Sequence, residues 1–247
     1  MNARISISSL PRLLLCVPAL LLAGHAGADP LVFNSGATQV TLLELYTSQG
    51  CSSCPPAERW LNEYVDSEDL WTRTVPVAFH VDYWDYIGWK DIFATPGHGE
   101  RQRDYARAGR ARTVYTPGMF VNGREWRGWT FGLKPRASAR QPGNLAVTIT
   151  DDRLEARYPA AAAPMELHIA LLGFEIDTRI EHGENRNSTL RQEFVVLAHD
   201  QQESSNGHWD VRLPEVQPGQ AERYGVAVWI NIPGKPAPLQ ATGGWLD

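Results

Sequence analysis

Cys51 and Cys54, three positions apart, are the residues of this chain best equipped to do chemistry. They sit in the run Leu45-Tyr46-Thr47-Ser48-Gln49-Gly50-Cys51-Ser52-Ser53-Cys54-Pro55-Pro56. Two thiols at this spacing can close a disulfide, bind a metal ion, or cycle between dithiol and disulfide. The remaining cysteine, Cys16, lies in a segment expected to be removed, so the pair is the only sulfur chemistry expected in the mature chain. One pair supplies only two metal ligands. Copper or zinc would need His80, His98 or another donor to complete the shell, so no metal site is assigned.

The elements that must position the pair can be read from periodicity. Val40 to Tyr46 is an apolar strand ending just before the cysteines. Ala57 to Tyr64 reads as a helix with Trp60, Leu61 and Tyr64 on one side. A strand that turns directly into a helix puts Cys51 near the helix N-terminus, where unpaired N–H groups favour a thiolate. On this reading Cys51 is the exposed nucleophile and Cys54 the buried resolving thiol. Pro55 and Pro56 cannot donate hydrogen bonds, so either the helix begins near Pro55 or its first turn is distorted. Val75 to Val81 is a second strand with Pro76 at its start. A polar and aromatic stretch, Asp82 to Gly97, leads to a charged helix from Gly99 to Ala108 that Gly109 stops. Pro117 to Val121 then meets Arg124-Glu125-Trp126 across Asn122-Gly123, the strongest short hairpin signal a sequence offers.

Composition shifts near Gln141-Pro142-Gly143. Beyond it, alternating strands are expected at Leu145 to Thr150, Arg153 to Tyr158, Glu166 to Phe174, Glu193 to Ala198, Trp209 to Leu213 and Tyr224 to Ile232. Leu167, Ile169 and Leu171 alternate with Glu166, His168 and Ala170, as in a half-buried strand. The expected fold class is an α/β unit over residues 29–141 followed by an all-β, sandwich-like unit over 142–247.

Residues 1–28 read as a secretory leader: Arg4 and Arg12, an apolar run from Leu13 to Ala23, and Ala26-Gly27-Ala28 as cleavage site. The formal charge of −5 becomes −7 once the two leader arginines are gone. A mildly acidic chain is a poor candidate for binding nucleic acid by charge, and no later stretch is apolar enough to span a membrane. The expected location is exported: the periplasm in a Gram-negative bacterium, otherwise secreted. Such compartments are oxidising, so the cysteine pair is read through disulfide chemistry.

The cysteine segment resembles the strand–turn–cysteine segment of thioredoxin-like proteins. Thr116-Pro117 with the Asn122-Gly123 hairpin resembles that family's cis-proline loop and last two strands. The resemblance implies an α/β thioredoxin-like first unit, with Pro117 facing the disulfide and Thr116 offering its backbone to a client. It also puts Glu44 near the position of that family's buried acid, which relays protons to the second cysteine; read from strand alternation alone, Glu44 is equally an outward-facing edge carboxylate. The longer run from Glu44 to Pro56, with His80-Val81-Asp82-Tyr83-Trp84 and Gly88-Trp89-Lys90-Asp91, is similar to a family of exported bacterial thioredoxin-like proteins, domain of unknown function 1223. A terminal helix of that fold is poorly signalled, since Trp129 to Arg140 contains Gly132 and Pro135.

The leading reading is therefore an exported thiol–disulfide oxidoreductase acting on exported proteins or small thiols, with an unidentified redox partner and no cofactor. Two others stay open: a non-catalytic thioredoxin-like binding module with a structural disulfide, and a copper or zinc carrier. Trp84, Tyr86 and Trp89 could form an aromatic rim for a client, or pack as a lid. His80 and Asp82 end the second strand and can cap it or act in catalysis. Glu184 and Asn185, in the loop from Glu181 to Ser188, could reach the cysteines from the second unit or simply close a hairpin.

Overall fold

The computed structural model describes residues 29–246; the expected leader lies outside the described residues. Apolar alternation builds most of the elements. In chain order they are β1 (Leu31–Asn34), β2 (Thr41–Thr47), α1 (Pro55–Asn62), β3 (Thr74–His80), α2 (Pro96–Arg107), β4 (Gly118–Val121), β5 (Arg124–Glu125), β6 (Ala146–Thr150), β7 (Arg153–Arg157), β8 (Met165–Phe174), β9 (Ile176–Arg179), β10 (Thr189–Gln192), β11 (Val195–Ser204), β12 (His208–Arg212), β13 (Arg223–Asn231) and β14 (Gln240–Trp245).

Eight strands form one mixed sheet in the order β14-β13-β8-β11-β3-β2-β4-β5. β2 and β3 run parallel, and β4 adds antiparallel to β2. β11 joins β3 in parallel at Val195–Ala78 and continues antiparallel along β8. A four-stranded sheet, β1-β6-β7-β12, and the β9–β10 hairpin complete the fold. The expected α/β thioredoxin-like unit followed by a separate all-β sandwich is therefore not what forms. The molecule is mostly β, and its largest sheet is mixed and draws strands from both halves of the chain. Among the described residues, helix is limited to α1 and α2, of 8 and 12 residues, and two short 3-10 segments. The physical reason is that β3 finds a neighbour far along the sequence, in β11, so pairing does not stop at the composition break. A terminal helix is also missing. Gly128–Phe131 makes one 3-10 turn that Gly132 ends in a left-handed conformation, and no regular structure follows before β6.

β8 shows how the layers stack. Leu167, Ile169 and Leu171 face the four-stranded sheet with Val226, Val228 and Ile230 of β13, against Val147, Leu154 and Trp209. Ala170, Leu172 and Phe174 face the opposite core, which contains Trp229, Phe194, Phe79 and the packing side of α1. β8 is thus covered on both faces rather than half-buried, and both of its alternating sets contribute to a core. Asn122 and Gly123 close the β4–β5 hairpin with φ of 47° and 71°, the positive pair such a turn requires. Among the described residues no helix is long and apolar enough to cross a membrane.

Candidate functional site

β2 sits inside the sheet between β3 and β4, and its last residue, Thr47, hands the chain to the cysteine turn. Cys51 N–H donates to Ser48 O and Cys54 N–H to Cys51 O, both at 3.1 Å, which folds the turn tightly. Cys54 then caps α1, accepting from the backbone N–H groups of Ala57 and Glu58. The helix begins at Pro55, so both its first positions are proline and offer no N–H toward the sulfurs. Cys51 and Cys54 are joined as a disulfide, with Cα atoms 5.4 Å apart. Both residues are fully buried, with 0% exposure, so Cys51 is not the exposed sulfur the sequence suggested.

Two sets of contacts hold the cysteine turn in place. Gln49, itself fully buried, pins the turn from below. Its N–H donates to Asp91 Oδ2 (2.8 Å), its amide donates to Gln192 Oε1 (2.9 Å), and it accepts from Trp89 Nε1 (3.0 Å). From above, the β9–β10 loop closes over it. Asn185 Nδ2 donates to Gln49 O (2.8 Å) and Cys51 O (3.0 Å), while Glu184 Oε2 accepts from Ser52 N (3.1 Å) and Ser52 Oγ (2.7 Å). Glu184 and Asn185 thus do reach the cysteine turn. The Glu184 carboxyl is held below its ordinary value by its bonds to Ser52.

A buried polar cluster lies on the α1 side of the sheet. Glu58 follows Cys54 by one helical turn, so the two side chains share a helix face. Thr47 Oγ1 donates to Glu58 Oε1 at 2.6 Å. His80 Nδ1 lies 2.7 Å from Asp91 Oδ2, with both side chains buried, and His80 Nε2 is 3.5 Å from the Gln192 amide. Burial pushes the Glu58 carboxyl up, against the opposing influence of His80 and Thr47. Burial alone would lower His80, but the charge and hydrogen bond of Asp91 prevail and raise it. Burial alone would raise Asp91, but His80 and the N–H groups of Gln49 and Phe93 hold it low. The buried His80–Asp91 pair, in which each partner favours the charged form of the other, thus stands beside a Glu58 carboxyl whose proton affinity burial raises.

The other sequence candidates fall in three places. Trp84 packs on Gly50, where an added Cβ would stand 3.4 Å from its own Cβ, and donates from Nε1 to Thr116 Oγ1 at 2.6 Å. Trp84 therefore ties the cysteine turn to the Thr116-Pro117 loop, whose peptide bond is cis. Tyr86 is 81% exposed beside Trp84, whereas Trp89 is bound to Gln49. Glu44 does not join the site. Alternation along β2 sends it to the α2 face, away from Thr47 and α1, where Arg101 Nε (2.9 Å) and Tyr105 Oη (2.6 Å) bind it. His98 is also committed, its Nδ1 lying 2.8 Å from His80 O, and among the described residues no three His, Cys, Asp or Glu side chains converge as metal ligands. A concavity of about 770 Å³ between α2 and β8–β11 is likewise on the α2 face, floored by His168 and His199. Neither cysteine lines it. Glu58, Asp91, Gln49 and Gln192 are the site residues sequence reasoning missed. The one available signal was Glu58, four positions after Cys54 on a helix.

The model of a family described as "Protein of unknown function (DUF1223)" matches residues 42–231. Among solved structures, protein AGR_C_4864 from Agrobacterium tumefaciens is similar at 26% identity and a TM-score of 0.62, covering 85% of this chain and 96% of that one. HBP35 of Porphyromonas gingivalis is similar in fold alone, at 13% identity and a TM-score of 0.54, covering 86% and 77%. No curated protein matches the chain.

Proposed function

The chain belongs to the DUF1223 family, and we propose that it is an exported thiol–disulfide oxidoreductase that works through Cys51 and Cys54 on exported proteins or small thiols. The observation that carries this reading is the placement of the disulfide. It spans the turn between an interior strand and a helix N-terminus, with Glu58 one turn further on and the buried His80–Asp91 pair close to Glu58.

In the dithiol state the Cys51 thiolate attacks one sulfur of a client disulfide, forming a mixed disulfide and releasing the other client sulfur as thiolate. When Glu58 is in its carboxylate form it takes the proton of Cys54, and Cys54 attacks Cys51 Sγ, releasing the client's second thiolate. The client gains two electrons and the cysteine pair loses them. A dithiol donor, protein or small molecule, restores the pair, and in the reverse direction Glu58 returns its proton to the departing Cys54. The client's contact with the turn is assigned to Trp84 and the Thr116-Pro117 loop, a reading supported by the bond from Trp84 to Thr116 and by the packing of Trp84 on Gly50.

Replacing Cys54 by Ala leaves Cys51 without its resolving partner, so covalent adducts on Cys51 are expected after incubation with disulfide-containing exported proteins or with glutathione disulfide. The absence of any adduct, with a native pair that no redox buffer reduces, would falsify the proposal. The full burial of both sulfurs favours one competing reading, a binding module with a structural disulfide. Titration against glutathione and dithiothreitol couples separates them. Exchange requires a potential within the range of known redox-active pairs, about −270 to −120 mV, whereas structural disulfides fall below about −300 mV.

A further inference from the structure

We propose that residues 183–187, at the tip of the β9–β10 hairpin, form a strap that gates the Cys51–Cys54 disulfide and must lift before either sulfur can react. This concerns the regulation of the exchange site and rests on that reading only for its biological purpose.

With both cysteines at 0% exposure, no thiolate can approach along the S–S axis while the turn is covered. The cover is specific. Asn185, 7% exposed, directs both amide hydrogens to the turn, to Gln49 O and Cys51 O, and Glu184 takes the N–H and Oγ–H of Ser52. Gly183 allows the close approach. Its φ is +76°, and a Cβ there would stand 3.2 Å from Trp89 Cβ and 3.6 Å from Ile87 Cδ1, the side chain that also packs on Gly50.

The means of attachment makes this a gate rather than a fixed wall. Asn185 is the one buried side chain between positions 181 and 189, and it is polar. No apolar side chain of the tip is anchored in a core, and hydrogen bonds plus one glycine contact hold it down. Segments held in that way open at low free energy. The strap's own base is secured by the four-residue β9–β10 ladder and by Asn62 Nδ2 of α1, which donates to Arg191 O at 2.9 Å. The tip can therefore lift while the hairpin stays docked.

The test is chemical reduction of the oxidised full-length mature chain by tris(2-carboxyethyl)phosphine, followed by quenched thiol labelling and mass spectrometry. For the wild type, the rate is expected to level off with phosphine concentration, at the rate of strap opening. The double variant E184A/N185A should be reduced about tenfold faster or more, since it loses several hydrogen bonds that each contribute a few-fold. Asn185→Asp keeps the side-chain size but removes the donated hydrogens, and it should move the same way. Thermal unfolding verifies that each variant still folds cooperatively. Equal rates in the wild type and in every folded variant would overturn the strap. Because phosphine needs no client, this outcome is independent of the Cys54→Ala trap. Faster reduction with no client adduct would keep the strap and reject exchange, and the converse pair of results would do the opposite.

Discussion

Glu58 presents the clearest chemical question at the scale of single residues. Its carboxyl is buried against Thr47, beside the His80–Asp91 pair, and burial raises its proton affinity above the ordinary value of 4.5. A group whose folded pKa is raised contributes stability that is complete below the ordinary value and is lost as pH rises through the folded one. Glu58→Gln keeps an acceptor for Thr47 but cannot ionise, so its stability should fall less between pH 4.5 and pH 8 than the wild type's, measured by urea unfolding at each pH. The same variant bears on the proposed exchange reaction. Without a carboxylate to take the Cys54 proton, decay of the mixed disulfide should slow by about a hundredfold, the lower end of what a positioned proton carrier supplies. Formation of the adduct at Cys51 should be unaffected. If decay is unchanged while the stability profile flattens, Glu58 is a buried acid with no part in exchange.

Between residues and the whole lie the elements, and α1 determines how reactive the pair can be. A helix N-terminus ordinarily stabilises a thiolate through its free N–H groups, but Pro55 and Pro56 occupy the first two positions and Cys54 has no side-chain cap bond. Pro56→Ala restores one N–H where a Cys54 thiolate could accept it. A stabilised thiolate favours the reduced pair, so the couple should become more oxidising. A helix-terminal interaction of about 0.3–1 kcal/mol corresponds to about 5–20 mV for a two-electron couple. Equilibration against glutathione buffers would measure it, and a shift toward more reducing potentials would refute the argument. Much of this element's setting was legible in the sequence: the apolar run of β2, the Trp60-Leu61 face of α1, the prolines at its start and the Asn122-Gly123 turn. These are local patterns, carried by residues within a few positions of each other. The short strands β1, β9, β10 and β14 left no such pattern. Nor did the burial of the cysteines, because Gln49 bonds to Gln192 and Asn185 to the Cys51 turn across separations of 143 and 134 residues. Glu44 illustrates the same limit. A one-residue ambiguity in strand register decides which face it meets, and the register sends it to Arg101.

For the molecule as a whole, the consequence of a shared sheet is cooperativity. A composition break near residue 141 suggests two units, yet β3 is flanked by β2 on one side and β11 on the other. Side chains cross the break as well. Phe79 packs on Trp229, Trp71 on Phe174, Phe194 and Trp245, and Val40 N–H donates to Gln240 Oε1 at 2.8 Å. Cutting the chain at 141 would expose one edge of β3 and much of the shared core. Each large apolar side chain returned to water costs about 1.5–3 kcal/mol. A handful of them equals the 5–15 kcal/mol that holds a typical domain together. A fragment of residues 29–141 should therefore lack a cooperative thermal transition and well-dispersed amide resonances, although it contains every residue of the cysteine turn. Residues 29–247 together should unfold in one transition, with near- and far-ultraviolet circular dichroism coincident. A folded fragment would mean that β3 does not need β11, and that the cysteine site can be held by its own half of the chain. The expected failure would instead tie the disulfide's environment to the far half, whose β9–β10 hairpin supplies both the Gln192 partner beneath the turn and the Asn185 contact above it.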